Sequence, residues 1–244
     1  MNNDKSNENV FGFDRDKWPK TECWEFSNNT SNRTLFKASE WERTITNEKG
    51  EVIPEWMSDF EARFPDLDDP YSDYTQFKQF CDFIVSTDRR QATDSDLPEA
   101  ITYDGVEYTK DTAEYRLAKF KAEFENYAIK DTFIFYYLFT ETFLMIDSRA
   151  KNLFLTTFDG THWFPIPYDF DTAIGINNEG ALVFDYDLED TDTVGGENVF
   201  NGQESTLWIN IRDAFKADLF NMYDELRQSD KFAYDVISKK MNDH

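Results

Sequence analysis

The stretch from Phe143 to Asp171, FLMIDSRAKNLFLTTFDGTHWFPIPYDFD, constrains the fold of this chain more than any other. It contains two β-type runs, LFLTTF and HWFPIPY, on either side of the pair Asp159-Gly160. An Asp-Gly pair between two apolar β-type runs predicts a β-hairpin. Because a hairpin returns the chain on itself, residues just before its first strand and just after its second strand are expected at the same end.

Polar side chains stand on both sides of the predicted hairpin. An apolar run ends at Asp147, Asn152 precedes the first strand, and Asp169 and Asp171 follow the second strand. We expect these carboxylates and the amide oxygen to converge at the open end of the hairpin. Oxygen ligands of this kind are those that Mg²⁺ prefers and shares with phosphates. The stretch therefore predicts a hard-cation site beside apolar strands.

Helical patterns flank this hairpin. The segment 130–146 is apolar on nearly all sides, and such a helix is expected to lie buried in the centre of a sizeable domain. Amphipathic spacing predicts further helices before and after it: 71–88, 111–129, 205–228 and one that begins with Ser229 as its cap. The last of these reaches the end of the chain without a terminating signal, so we expect the chain to be truncated from something longer.

Short strands are predicted in the earlier part of the chain. Two strands fall within 23–36, one falls within 60–66, and an Asp-Gly pair predicts a hairpin over 101–109. The expected fold class is α+β, with a mainly helical core, a β-hairpin metal site and an irregular N-terminal region of short strands. The expected division is into an N-terminal arm with short strands and a core: 1–69 and 70–244.

Composition limits the classes of function. The chain has 244 residues, of which 40% are hydrophobic and 17% aromatic, so it is able to bury a large core. It carries 49 acidic and 25 basic residues, for a net charge of −24. Binding to nucleic acid or to an anionic membrane requires a cationic face, so this charge argues against both. It favours a cation-binding protein or simply a very soluble one.

No targeting or spanning segment is evident in the sequence. The first ten residues, MNNDKSNENV, lack the apolar core of a signal peptide, which predicts cytoplasmic expression. The apolar run Phe133–Phe139 is far shorter than the roughly 20 residues that cross a bilayer, so no membrane insertion is expected. The two cysteines, Cys23 and Cys81, form no C-x-x-C pair and suit a reducing compartment, with a single bridge left open.

The order of polar residues is similar to the C-lobe of protein kinases. The pattern D-x-x-x-x-N at Asp147 and Asn152 is followed by a hairpin and then by Asp169-Phe170. In kinases with this pattern the first Asp faces the attacking hydroxyl, while the Asn and the second Asp hold metal on the nucleotide phosphates. The similarity implies that the core is a kinase-like C-lobe with Asp147 in the catalytic position. The alternative is a set of turn and cap residues in an acidic protein.

A closer resemblance is to the CotH kinase-like family of atypical, spore-coat-type kinases. It is carried by the Pro-aromatic-Asp-aromatic-Asp segment 167–171, with Trp163 before it and Gly175 after it, and it covers roughly residues 128–180. The resemblance implies that Asp147 lies near the phosphate acceptor and that Asn152 and Asp169 ligate metal. Mg²⁺ or Mn²⁺ is then the implied cofactor, with ATP open as the nucleotide.

The segments CWEF, FEARFPD and YDFDT also look like parts of large minor structural proteins of tailed phages. This second resemblance implies assembly into a phage virion. The implied partners are other structural proteins or the remainder of a larger polypeptide.

The chain departs from kinases in the region that binds nucleotide. No Gly-rich phosphate loop precedes the hairpin. Lys37 is the one candidate for the strand lysine, and the alternative, which its sequence context favours, is an ordinary surface lysine. The segment Met145-Ile146-Asp147 lacks the Arg of the usual H-R-D sequence. These departures keep two functions open: a phosphotransferase that uses Mg²⁺ and a nucleotide, and a structural or interaction module without turnover.

Two basic residues lie inside the first acidic loop. Arg149 and Lys151 are candidates for contact with nucleotide phosphates, or for neutralising the neighbouring carboxylates. The chain has only two histidines, His162 and His244, so a His-based zinc site or a Ser-His-Asp triad is not expected.

Overall fold

A computed structural model describes the following residues: 11–26, 44–46, 49–54, 60–65, 75–89, 98–110, 112–145, 148–149, 152–170, 173–176, 180–181, 193–194, 197–198 and 205–242. Over these ranges the chain is a mixed α+β protein with small antiparallel sheets, which confirms the predicted fold class at this level. Several predicted features lie outside the described residues: Lys37, Asp147, Lys151, Asp171 and the second strand expected within 23–36.

A four-stranded antiparallel sheet holds the predicted hairpin. Its strands are β1 (Glu22–Phe26), β4 (Phe60–Phe64), β7 (Leu153–Thr157) and β8 (Trp163–Pro167), in the order β4-β1-β7-β8. The hairpin β7–β8 and the strands expected near residues 23 and 60 are confirmed. The division expected at residue 69 stays a prediction, although β1 and β4 lie before it and pair within the same sheet as β7 and β8.

Three smaller strand pairs stand apart from this sheet. They are β2 (Thr44–Thr46) with β3 (Val52–Pro54), β5 (Ala100–Tyr103) with β6 (Val106–Thr109), and β9 (Thr193–Val194) with β10 (Glu197–Asn198). The pair β5–β6 confirms the predicted hairpin. Its turn residues Asp104 and Gly105 have φ values of 50° and 76°, as a two-residue turn of the primed type requires.

Six α-helices lie within the described ranges. They are α1 (Thr75–Ser86), α2 (Ala113–Glu123), α3 (Lys130–Thr142), α4 (Thr206–Ala214), α5 (Lys216–Gln228) and α6 (Tyr234–Asn242). The first three confirm the helical predictions for their regions. The predicted cap of α2 is also present, because the side chain of Thr112 accepts a hydrogen bond from the Tyr115 backbone N–H at 3.0 Å.

Two predictions for the C-terminal helices are wrong. The single helix expected over 205–228 is broken at Phe215, whose φ and ψ are −112° and 29°. The ring of Phe215 is buried against Phe120 and Phe124, so packing rather than local sequence sets the break. Ser229 does not cap the last helix: its hydroxyl donates to the Leu226 carbonyl at 3.1 Å and closes α5 instead.

The prediction that the apolar helix is buried on all sides is also wrong. In α3, Phe133, Ile134 and Tyr136 are buried, whereas Phe135 is 43% exposed and Phe139 is half-buried. The helix packs against β8, α4 and α5, and this leaves one apolar side of α3 uncovered by the described residues. An apolar pattern shows that burial is favourable but does not show what covers each side.

The main core is aromatic and lies between the sheet and the helices. Phe77 of α1 is fully buried and stacks on Trp24 with ring centroids 4.5 Å apart, while Phe60 and Trp163 meet it edge-on. A smaller cluster lies on the opposite face of the sheet: Phe13, Cys23, Phe64 and Phe154. The alternative of a Cys23–Cys81 disulfide is excluded here, since both cysteines are free and buried. Burial also raises the pKa of the Cys23 thiol to about 12.

The described core predicts that replacing Phe by Ala lowers the free energy of unfolding much more at a buried position than at an exposed one. Phe77→Ala removes a fully buried ring from contact with two Trp rings and should lower the free energy of unfolding by about 3–5 kcal/mol. Phe220→Ala removes a ring that is 61% exposed on α5 and should cost about 0.5 kcal/mol. Urea unfolding followed by circular dichroism measures both, and equal costs would contradict the described core.

Candidate functional site

The hairpin is joined to the beginning of α3 by backbone hydrogen bonds. The N–H of Ile129 donates to the carbonyl of Trp163 at 2.9 Å, and the N–H of Trp163 donates to the carbonyl of Tyr127 at the same distance. Ala128 and Trp163 form a parallel bridge. Strand β8 therefore starts beside the N-terminal end of α3 and runs in the direction of the helix.

The segment after β8 is joined to the other end of the same helix. The N–H of Ile174 donates to the carbonyl of Phe143 at 2.6 Å, and the N–H of Gly175 donates to that of Leu144 at 3.0 Å. These acceptors directly follow the last turn of α3. The chain between Trp163 and Gly175 is thus fixed at both ends of one helix, and Asp169 belongs to the part that reaches the helix C-terminus.

The strand register decides which predicted residues share an end of the hairpin. Leu153 pairs with Pro167 at the last position of the ladder, so Asn152 and Tyr168 flank its open end and Asp169 follows directly. The side chain of Asn152 is buried and that of Asp169 is exposed. The structure therefore places Asn152 and Asp169 at the same end of the hairpin, as the sequence predicted.

Unusual backbone geometry is concentrated in the same region. Among the described non-glycine residues, six have positive φ. Two of these are at the open end of the hairpin, Asn152 (56°) and Asp169 (54°), and two are where the following segment bonds the end of α3, Leu144 (47°) and Ile174 (61°). Asn and Asp tolerate this conformation, but it is unfavourable for Leu and for the β-branched Ile. Such conformations persist only where the surrounding contacts enforce them, and they are common at functional sites.

The described residues include two of the predicted cation ligands. Asn152 provides an amide oxygen and Asp169 a carboxylate, both oxygen donors of the type that Mg²⁺ binds. The segment after β8 is hydrogen-bonded to the C-terminal end of α3, where the negative end of the helix dipole favours a cation. Within the described ranges no three His, Cys, Asp or Glu side chains form a group able to hold a metal ion.

Arg149 is almost fully buried beside this region, with 2% of its surface exposed. Its guanidinium lies over the Tyr137 ring, 4.5 Å from the centroid, and forms an ion pair with Glu141. No hydrogen-bond partner for its Nε or Nη1 atom exists among the described residues. A carboxylate of α3 therefore balances its charge, while contact between Arg149 and a nucleotide stays a prediction.

The two residues after the candidate catalytic position are anchored to separate helices. The hydroxyl of Tyr136 donates to the Ser148 carbonyl at 2.5 Å, and the indole N–H of Trp208 donates to the Arg149 carbonyl at 2.8 Å. These supporting residues were missed in the sequence, where Tyr136 and Trp208 look like ordinary core aromatics. Tyr137 and Glu141 are four residues apart, which places an aromatic ring and a carboxylate on the same face of a helix. This spacing is the sequence feature that could have indicated a binding surface for Arg149.

The closed end of the hairpin is built around Asp159. Its Oδ1 accepts the backbone N–H groups of Thr161 and His162, each at 2.8 Å, and its Oδ2 lies 2.6 Å from Nδ1 of His162. Partial burial raises the pKa of Asp159, but these hydrogen bonds outweigh it and lower the pKa to about 2. Asp159 and His162 thus stabilise the connection between the strands and lie at the opposite end from Asn152 and Asp169.

Sequence comparison assigns this chain to no family. Its comparison with models of protein families finds no match, and its comparison with curated proteins finds none either. Among the helices described here, none has the length and apolar character needed to cross a membrane. Proposals on its function therefore depend on the chemistry and position of its own residues.

The pair Arg149–Glu141 should show strong energetic coupling. Glu141→Gln leaves a buried cation without its counter-charge, whereas Arg149→Met keeps the side-chain volume and removes the charge. In a double-mutant cycle on the free energy of unfolding we expect a coupling of about 1–3 kcal/mol. The half-exposed pair Lys130–Asp218, 3.7 Å apart, is the control and should show less than about 0.5 kcal/mol. Equal coupling in both pairs would contradict the buried position of Arg149.

Proposed function

We propose that this chain is a CotH-kinase-like module that binds Mg²⁺ or Mn²⁺ at the open end of the β7–β8 hairpin and belongs to a larger structural protein of the phage-particle type. The observation that supports it most is the position of Asn152 and Asp169 at the same end of the hairpin. The backbone hydrogen bonds from Ile174 and Gly175 hold the residues that follow at the C-terminal end of α3.

The proposed roles follow from the types of side chain. Asn152, Asp169 and Asp171 would hold the cation, because they supply amide and carboxylate oxygens. Asp147 would orient the hydroxyl of the acceptor, and Arg149 and Lys151 would stand near the phosphates. When bound, the cation supplies neutralisation of the phosphate charge on a nucleotide such as ATP.

Long-range electrostatics make the cation necessary for this function. The chain has a net charge of −24, so its field repels a nucleotide that carries several negative charges of its own. A divalent cation at Asn152 and Asp169 would reduce the repulsion locally. Phosphate oxygens would then coordinate the same cation as the protein oxygens. Nucleotide binding should therefore follow metal binding rather than occur without it.

A second function, as a structural or interaction module without turnover, is favoured by an exposed apolar surface beside the site. Phe135 and Ile174 are each 43% exposed and Phe170 is 39% exposed. The ring of Phe139 lies 6.0 Å from that of Phe135 and 5.6 Å from that of Phe170, which makes the patch continuous from α3 to the segment after β8. Patches of this kind mark interaction sites, and other structural proteins or the remainder of a larger polypeptide are the proposed partners.

Metal should stabilise the folded chain. Because a ligand that binds only the native state stabilises it by mass action, Mg²⁺ or Mn²⁺ at about 100 times its dissociation constant should raise the melting temperature by roughly 5–10 °C. Asp169→Asn should abolish this rise, since an amide is a weaker ligand that still tolerates positive φ. Differential scanning calorimetry with and without EDTA measures the effect.

Asp230→Asn is the matched control for that experiment, because Asp230 is also an exposed aspartate with positive φ, at 60°. It should keep the full response to metal. If metal leaves the wild type unchanged, or if both variants lose the response, the proposed site is wrong. Transfer of labelled phosphate from ATP then separates the two functions: a metal response without any transfer supports the structural module.

A further inference from the structure

A groove lies between α3 and the corner where α4 meets α5. It encloses a cavity of about 310 Å³. Apolar side chains form most of its walls: Tyr137, Leu138, Leu219, Phe220 and Tyr223. The volume lies at the small end of the range for ligand pockets, roughly 300–1,000 Å³, so the groove suits a small molecule rather than a helix.

The inner wall of this groove is fixed before any ligand arrives. One side of the Tyr137 ring is covered by the Arg149 guanidinium, and Leu219 is buried in the main core. The outer wall is solvent-accessible, since Phe220 is 61% exposed and Tyr223 is 38% exposed. A ligand with an apolar body would therefore cover exposed rings without first rearranging the core.

The polar end of the groove carries an excess of positive charge. Asp213 is held between two arginines, with 2.7 Å to Arg89 and 2.8 Å to Arg212. Partial burial raises the pKa of Asp213, but its hydrogen bonds and charge interactions with Arg212 and Arg89 outweigh it and lower the pKa, so this carboxylate is ionised at neutral pH. Lys216 is exposed and forms no ion pair with any residue of the described ranges.

The local charge is opposite to the charge of the whole chain. Among the side chains that line the groove, the two cations Arg212 and Lys216 outnumber the one anion, Asp213, whereas the chain as a whole carries −24. The next acidic side chain along α5, that of Asp218, faces Lys130 at 3.7 Å. A single negative charge is attracted here, while a ligand with several negative charges meets the repulsion of the surrounding acidic surface.

We propose that this groove binds a small apolar carboxylate, such as a medium-chain aliphatic or an aromatic acid. The apolar body lies against Leu138 and Phe220, and the carboxylate accepts a hydrogen bond from the Lys216 ammonium. The site does not include Asn152 or Asp169, so it is independent of the proposed metal function.

Isothermal titration calorimetry of the full chain with octanoate tests this site, with octanol as the uncharged analogue. Octanoate should bind saturably and at least several times more tightly than octanol. Lys216→Gln should weaken octanoate binding about tenfold, which is the usual loss when a hydrogen bond to a charged group is removed. Lys239→Gln, which removes an exposed charge of α6 outside the groove, should leave the affinity within about twofold.

Two further variants test the apolar wall. Phe220→Ala should weaken octanoate binding by about fivefold to tenfold, because it removes apolar contact area. Phe170→Ala, which alters a ring that is 39% exposed outside the groove, should not change it. Circular dichroism checks that each variant is folded, and Tyr223→Ala replaces Phe220→Ala if that variant is not. Absence of saturable binding, equal affinity for octanol, or equal effects of the groove and control variants would each overturn the proposal.

Discussion

Two pairs of backbone hydrogen bonds at opposite ends of α3 are the constraint on which the candidate site depends. The first pair joins the start of β8 to residues 127–129, and the second joins Ile174 and Gly175 to Phe143 and Leu144. Because the helix between them is stiff, the strand and its continuation must run along it. The open end of the hairpin is therefore directed toward the C-terminal end of the helix. This end of the hairpin includes Asn152 and Asp169, whose backbones have the left-handed conformation. Pairing of β1 with β7 fixes the hairpin from its other edge.

The parts of this arrangement with local signals could be predicted from the sequence. Alternating apolar residues and the pairs Asp104-Gly105 and Asp159-Gly160 indicated both hairpins, although the second pair lies inside a five-residue connection, 158–162. Helical spacing indicated α1, α2 and α3. That Asn152 and Asp169 share one end follows from the hairpin alone, since Asn152 directly precedes the last pair of its ladder and Asp169 comes two residues after it.

The parts that depend on distant residues could not be predicted. Nothing near Phe215 in the sequence marks a helix break, because the break follows from burial of its ring against α2 and the residues after it. Arg149 looks like a loop cation, but Tyr137, Glu141 and Trp208 enclose it. The apolar pattern of α3 shows no difference between its covered and uncovered sides. In each case contacts between remote segments outweigh local preference.

The central claim is that one cation site exists at the open end of the hairpin. Paramagnetic broadening of backbone amide signals by a small fraction of an equivalent of Mn²⁺ tests it most directly. The claim predicts that the signals of Asn152, Asp169 and Gly175 broaden first. The signal of Gly160, about 20 Å away at the closed end, should persist longest. Broadening centred on another part of the chain, or uniform broadening from diffuse binding to acidic side chains, would contradict the claim.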